Sequence, residues 1–515
     1  MKYHSVNTGP IIMLGLLGIL GGGVEAGASS GVLGNPEPVL KRDVCTPYTG
    51  EAALAGVGQA PLQQATGGTS LINSQLVGRV TRDAIQRARQ DAAAPYQALT
   101  LPDGSALGDY GPALDGADIY RIQYRSTRND GEATILSGLV SVPAKPASDG
   151  LVVYMHATKL ASDTGAASLP SPEACSMLTA FAGEERVVAL PDYLGYGVNQ
   201  DPHPYPFGKY NVRAGIDIVT AARELVFQLT GAPPDSRLYV TGYSEGGGNA
   251  LWLARALEEE QAADLHPTLI VPMAGNYDMT GATAQSLIVK QPKNSTTRAA
   301  KPVLLTFTAQ ATWEITGSDP GSLLRPVLVK WSQRNAIPMP NQKLNSALAA
   351  LSGAATRLGY PVVNANPKVL LNPSLVEAIT DRDLGNPALK LWFDNDNIDW
   401  APQAQVYAVG ILQDEIVPFA GSAYPVPENY TGGPAFFTQG NSENLIRAMR
   451  KRGLGSDRVG WLGIDSIVPS GAQAKPGAQN QRITHINGLV PVSILAARFI
   501  RQGTLAQMPV LPDPQ

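Results

Sequence analysis

Ser244 stands between glycines in TGYSEGGG, where the apolar run of 236–244 gives way to a helical pattern. A serine lifted at such a strand-to-helix turn can act as a nucleophile. It then needs a base for its proton, because a free serine hydroxyl attacks poorly at neutral pH. In a chain with 53 glycines the pentapeptide alone is a weak signal, and an ordinary Gly/Ser loop would read the same. The other members of such a constellation have to decide.

Histidine is the usual base, and the chain has five: His4, His156, His203, His266 and His485. On a turn of this kind the partners follow the serine in the order Asp or Glu, then His. His4 falls in an N-terminal segment expected to be removed. His266 comes soon after the serine, in ADLHPTLI, where a surface turn is the simpler reading. His485 remains, in QRITHINGL, after a Gly/Ala/Pro-rich loop and before a terminal helical pattern. The acid should end the preceding strand, bond the far ring nitrogen and so turn the near one toward the serine. Asp414 in YAVGILQDEIVP meets this requirement. Glu415 is expected to point the other way, and Asp399 and Asp465 are remoter alternatives. Charge developing on an attacked carbonyl calls for two backbone N–H groups, each lowering the barrier by about 3 kcal/mol. Glu245 supplies the first, and Ala157 or Thr158, after the apolar VVYM, the second. His156 reads as a brace for that loop, since no second histidine stands at metal-ligand spacing. In PDYLGYGVNQDPHPY, Asp192 is expected to bond backbone amides of its own loop and His203 to be fixed by Pro204.

The elements that must bring these residues together show in the pattern of apolar runs. The segment 118–144 alternates about Asn-Asp-Gly, which signals a β-hairpin. Short continuous apolar runs follow at 150–157, 185–193, 236–244 and 268–278, as parallel strands buried on both faces require. A crossover helix, YNVRAGIDIVTAARELVFQL, separates the second from the third. Two more strands are expected at 404–413 and 457–464 and a closing helix in INGLVPVSILAARFIRQG. Upstream, INSQLVGRVTRDAIQRARQDA reads as one helix. The interval 279–402 breaks the rhythm with Pro/Asn-rich linkers, helical pieces and four tryptophans, Trp313, Trp331, Trp392 and Trp400. It is too long for a connection and reads as an inserted, mainly helical cap, its aromatics chiefly its own small core.

Bulk properties exclude several classes. Of the 515 residues, 44% are apolar and 16% charged, enough for a large core, and a net charge of -4 offers no basic footprint for nucleic acid. Lys2, the apolar IIMLGLLGIL and the small residues of VEAGA form a secretory signal pattern, with cleavage expected after Ala26 or Ala28. The apolar run is shorter than the roughly 20 residues a bilayer span needs, so export without a transmembrane span is expected. Two cysteines, Cys45 and Cys175, most simply form one disulfide in an oxidising compartment, and two thiols are too few for a thiolate zinc site.

Taken in order, VVYMHAT, LPDYLGYG with HPY, TGYSEGGG, VPMAGNYD, ILQDEIVP and the late TH resemble the secretory lipase family of α/β hydrolases, the group that includes yeast lipase A type enzymes. The likeness covers roughly residues 118–503. It implies an α/β-hydrolase fold: a mostly parallel central sheet with helices on both faces and a helical cap between the nucleophile and acid strands. It also implies export, no cofactor, a lipid or small-molecule ester substrate and Ser244, Asp414 and His485 as the triad. The chain departs from the family at Glu245, where Gln is more usual, and at His-Ala-Thr, where His-Gly is commoner. The expected division is 1–28 signal, 29–117 N-terminal elaboration, 118–278 first core part, 279–402 cap and 403–515 second core part. A lipid–water interface is compatible with this reading, and the oligomeric state is not readable. Two rivals share the pattern: a serine peptidase or acyltransferase on the same scaffold, and an inactive hydrolase fold that only binds.

Overall fold

Ten short strands form one sheet in the computed structural model, which describes residues 45–502 apart from 56, 58–62, 65–69, 102–103, 260–264, 289–294, 362–365, 413, 420–439, 465–466 and 469–480. The proposed signal segment and Asp465 lie outside the described residues. The strands are β1 (Gln63–Gln64), β2 (Leu71–Val80), β3 (Ala117–Thr127), β4 (Ala133–Pro143), β5 (Leu151–Met155), β6 (Val187–Pro191), β7 (Leu238–Tyr243), β8 (Pro267–Met273), β9 (Gln405–Ile411) and β10 (Val459–Ile464). Their order is β1-β2-β3-β4-β6-β5-β7-β8-β9-β10. Pairing is antiparallel from β1 through β4 to β6 and parallel from β6 to β10.

The helices that bear on the site are α1 (Arg82–Ala93), α2 (Pro172–Phe181), α3 (Val212–Thr230), α4 (Glu245–Glu259), α5 (Ser295–Thr316), α6 (Asn341–Arg357), α7 (Asn441–Lys451) and α8 (Leu489–Gln502). Side chains alternate across each strand, so β5 sends Val152 and Tyr154 to one face and Leu151, Val153 and Met155 to the other. The first pair packs with α1, α2 and α8 through residues such as Ile85, Leu178 and Val492. The second set packs with α3, α4 and α7 through Ile218, Leu253 and Met449. Both faces being covered, β5, β6, β7 and β10 are buried along their whole length, which is why they read as unbroken apolar runs.

The stretch 72–92 is not one helix. Its first half is β2, and the helix begins only after Thr81, whose hydroxyl accepts from the Ala84 N–H. Two register shifts in the β2–β3 pairing, at Leu71/Asn73 and Leu76/Gly78, break the strict alternation. The buried positions Leu71, Ser74 and Gly78 are then spaced by three and four, as on a helix.

Between β8 and β9 the chain is helical, and its apolar residues gather in a third cluster that holds Trp331 and Trp392, with Trp313 against it, and that also takes in Leu160, Ala161, Tyr205 and Phe207 from the loops after β5 and β6. Asn-Pro pairs start two of these helices: Asn372 and Asn386 each accept from the first-turn N–H groups, and the following proline has no N–H to lose. Trp400 differs from the expectation. It belongs to the core beneath the sheet, so the helical segment's own packing ends before it.

Cys45 and Cys175 are joined, tying the N-terminal arm to α2 across a separation of 130 residues. Closing so long a loop restricts the unfolded chain, and Cys175→Ala is expected to cost about 4 kcal/mol. Denaturant midpoints of the wild type and variant, with and without reductant, check this. The variant should match the reduced wild type.

Candidate active site

β7 ends at Tyr243 and α4 begins at Glu245, so the whole reversal falls on Ser244, whose φ is 59°. A non-glycine residue in that left-handed region costs on the order of 1–3 kcal/mol and persists only when its surroundings fix it. Here the Ser244 N–H donates to Met273 O at 2.9 Å, and Ser244 O accepts from Gly247 N at 2.9 Å. The flanking glycines are steric necessities. A Cβ at Gly242 would lie 2.2 Å from Gly246 O, and one at Gly246 would lie 2.0 Å from Met155 O.

His485 reaches this serine from the loop before α8. A two-residue ribbon, β11 (Ile467–Val468) with β12 (Gln481–Arg482), returns the chain beside the end of β10. Ser244 Oγ lies 2.7 Å from His485 Nε2, and His485 Nδ1 lies 2.6 Å from Asp414 Oδ2. Asp414 is fully buried just beyond β9, and its Oδ1 accepts from the Ile416 and Val417 amides at 2.9 and 2.8 Å. Nδ1–H therefore donates to the carboxylate and Nε2 presents its lone pair to the hydroxyl. Burial pushes the imidazole pKa down, but the Asp414 charge and hydrogen bond outweigh it and hold the pKa above the ordinary value.

Two further contacts fix the histidine backbone. Tyr243 donates its hydroxyl to His485 O at 2.6 Å, and the His485 N–H faces both Glu415 carboxylate oxygens at 3.2 Å. Glu415 thus does not turn away as expected: it is buried and holds the base loop. Burial, then the neighbouring Asp414, pushes its carboxyl up to about 7. Of the other acids considered, Asp399 is exposed and paired with Arg452. His266 is exposed, as expected for a surface turn.

The loop after β5 corrects a second expectation. The Ala157 N–H is already committed, donating to Glu173 Oε1 at 2.7 Å, so it cannot face a substrate oxygen. Glu173, in the first turn of α2, also accepts from Tyr154 and from Lys159 Nζ. Burial opposes its charge, yet Lys159 above all holds its pKa down to about 2. Neither the Thr158 amide nor that of Glu245, at the N-terminus of α4, has a hydrogen-bond partner among the described residues. His156 does brace the loop. It stacks on Tyr193 at 3.9 Å and donates from Nδ1 to Ala157 O. Burial, then Lys159, lowers its pKa to about 3, so the ring is neutral.

The loop residues Asp192 and His203 are tied differently from what their own loop suggests. Asp192 accepts from Ser137 Oγ on β4 at 2.5 Å and from the Ala167 amide at 3.3 Å, and burial pushes its carboxyl up to about 6. His203 is held by Leu194 O and by Glu245, not by Pro204. Nothing in the sequence links these residues, because each pairing depends on how distant strands and loops meet.

A cavity of about 100 Å³ opens beside Ser244 and His485. The helical segment forms one wall through Leu287 and through Ala300, Leu304 and Thr308, which recur every fourth residue along one face of α5. Ile416, Val417 and Leu489 line it as well, and no tryptophan does. Among the described residues no cluster could hold a metal ion, and no helix is long and apolar enough to cross a membrane.

No family model and no curated protein matches the chain. Among solved structures it is similar to a Legionella pneumophila protein named as a candidate hydrolase, at 20% identity and a TM-score of 0.60, covering 86% of this chain and 100% of that one. It is also similar to the rice cell wall degrading esterase LipA of Xanthomonas oryzae in a ligand-bound form, at 19% identity and a TM-score of 0.59, covering 86% and 100%. Candida antarctica lipase A in its closed state aligns at 15% identity and a TM-score of 0.43, covering 80% and 78%. Sheet order, crossovers and these likenesses agree on one architecture: the chain has the α/β-hydrolase fold.

Proposed function

We propose that the protein is an exported serine carboxylic ester hydrolase of the secretory lipase type, with Ser244, His485 and Asp414 as its triad. The observation that carries this reading is the unbroken chain of hydrogen bonds from Ser244 Oγ through the His485 ring to Asp414. Ser244 Oγ attacks the ester carbonyl while His485 Nε2 takes its proton. The same nitrogen then gives the proton to the departing alcohol, leaving an acyl group on the serine. Water, deprotonated in turn by His485, releases the acid. The Glu245 and Thr158 amides, unpartnered and next to the nucleophile, serve as donors to the oxyanion, and the positive end of α4 adds to them.

In this reading the helical segment between β8 and β9 is a cap over the cavity, whose apolar walls suit the acyl group of a small ester. Similarity to esterases supports the substrate class, and the disulfide together with the leading apolar segment supports export. The test is labelling with a fluorophosphonate probe alongside hydrolysis of p-nitrophenyl butyrate. The expected result is one label per chain, mapped to Ser244, with ester turnover that the probe abolishes. Folded protein that takes no label and turns over no ester would refute the assignment.

A further inference from the structure

Glu245 follows the nucleophile directly, yet its side chain has no part in the chemistry above. It is 1% exposed, and its Oε1 lies 2.6 Å from Nε2 of His203, which is 0% exposed. The other ring nitrogen of His203, Nδ1, lies 3.0 Å from Leu194 O. A carbonyl oxygen only accepts, so Nδ1 carries a hydrogen. The contact to Glu245 then requires a second one, because a bare Nε2 and an ionised carboxylate are both acceptors. The pair therefore holds one proton between them, as imidazolium and carboxylate or as imidazole and carboxylic acid.

The surroundings leave His203 as the anchor. Among the described residues no lysine or arginine pairs with Glu245, and its Oε2 is buried without a partner. The imidazole is fixed in its turn by rings: Tyr193 stacks on it at 5.6 Å, Tyr196 meets it edge-on at 5.0 Å, and Phe307 of α5 lies at 5.6 Å. The titratable groups facing the pair are Tyr193, Tyr196 and Tyr205, whose phenols are pushed up by burial and by Glu245, and the neutral His156. Beyond His156, Glu173 and Lys159 neutralise each other.

We propose that Glu245 is a positioning residue for ester hydrolysis: one proton shared with His203 tethers its side chain and keeps its amide aimed at the developing oxyanion. The proposal rests on the ester-hydrolase reading of the site. Removing the tether frees the side chain, moves the first turn of α4 and lowers kcat without weakening substrate binding.

The test compares kcat and KM for p-nitrophenyl butyrate in the wild type, Glu245→Ala and Glu245→Gln. In Glu245→Gln the side-chain amide donates to the bare Nε2, which restores the tether without an ionisable proton. Glu245→Ala is expected to lower kcat at least about tenfold with KM little changed, part of the ~10²–10³ that loss of a whole oxyanion donor costs. Glu245→Gln should recover most of that loss. A Glu245→Ala protein with wild-type kcat, or a Glu245→Gln protein as slow as the alanine variant, would each overturn the proposal. If Glu245→Ala does not fold, kcat of Glu245→Gln against the wild type decides alone: a value near the wild type's supports the tether, and a loss of about tenfold overturns it. Fluorophosphonate labelling separates the two levels: a labelled, active wild type with the wrong Glu245 behaviour removes only this inference, and an unlabelled, inactive one removes the function beneath it.

Discussion

His485→Ala should lower kcat for a short p-nitrophenyl ester by on the order of 10⁶, the loss seen when the base of such a unit is removed. In the proposed reaction the ring nitrogen 2.7 Å from Ser244 Oγ accepts the serine's proton, and no neighbour among the described residues is placed to substitute. Glu415 is occupied with the His485 amide, and Tyr243 donates to the His485 carbonyl. Both of those bonds are to backbone atoms, so they survive the substitution and the loop keeps its place. Ser244→Ala should lose a similar factor, and the double variant should be no slower than either single one, because the two groups act as one unit. Steady-state kinetics with a circular dichroism check on folding measure this. A double variant slowed by the product of the single losses would place the two residues in independent roles.

Asp414→Asn should lower kcat by on the order of 10⁴ while leaving the fold intact. Oδ1 of Asp414 receives two amide N–H bonds at 2.9 and 2.8 Å, so the oxygen of an asparagine must take that position. Its NH₂ then faces His485 Nδ1, which must become an acceptor. The ring hydrogen moves to Nε2, the atom that has to receive the serine's proton, and the base is blocked. The same substitution removes the charge that raises the imidazole pKa. In the wild type, activity should fall with acid on a limb lying above the ordinary histidine value, since only the neutral ring is a base. In Asp414→Asn the limb of the residual activity should move to lower pH. A pH series of kcat/KM on both proteins checks the direction.

The residues that meet at the site are legible in the sequence because each ends or follows a strand whose apolar run is unmistakable. Ser244 follows β7, Asp414 follows β9 and His485 precedes α8, so topology carries them to the same end of the parallel strands. What the sequence hides is the set of carboxylates around them. Glu173, Glu245 and Glu415 bond Ala157, His203 and His485 across separations of 16, 42 and 70 residues. Such pairings depend on how loops from different strands pack, and no local periodicity encodes that. The Ala157 amide looks available for the same reason, until the first turn of α2 arrives beside it. β2 is hidden differently: its register shifts produce the three-and-four spacing of a helix inside a strand.

The apolar cluster of the helical segment is separate from the two that flank the sheet. The Ser244 turn is thus bolted to a rigid chassis, where Gly242 and Gly246 have no room for even a methyl group. Part of the cavity beside it, Leu287, Ala300, Leu304 and Thr308, is lent by the helical segment. In the proposed enzyme, substitutions at Ala300, Leu304 and Thr308 would reshape that wall while leaving Gly242 and Gly246, which shape the Ser244 turn, in place.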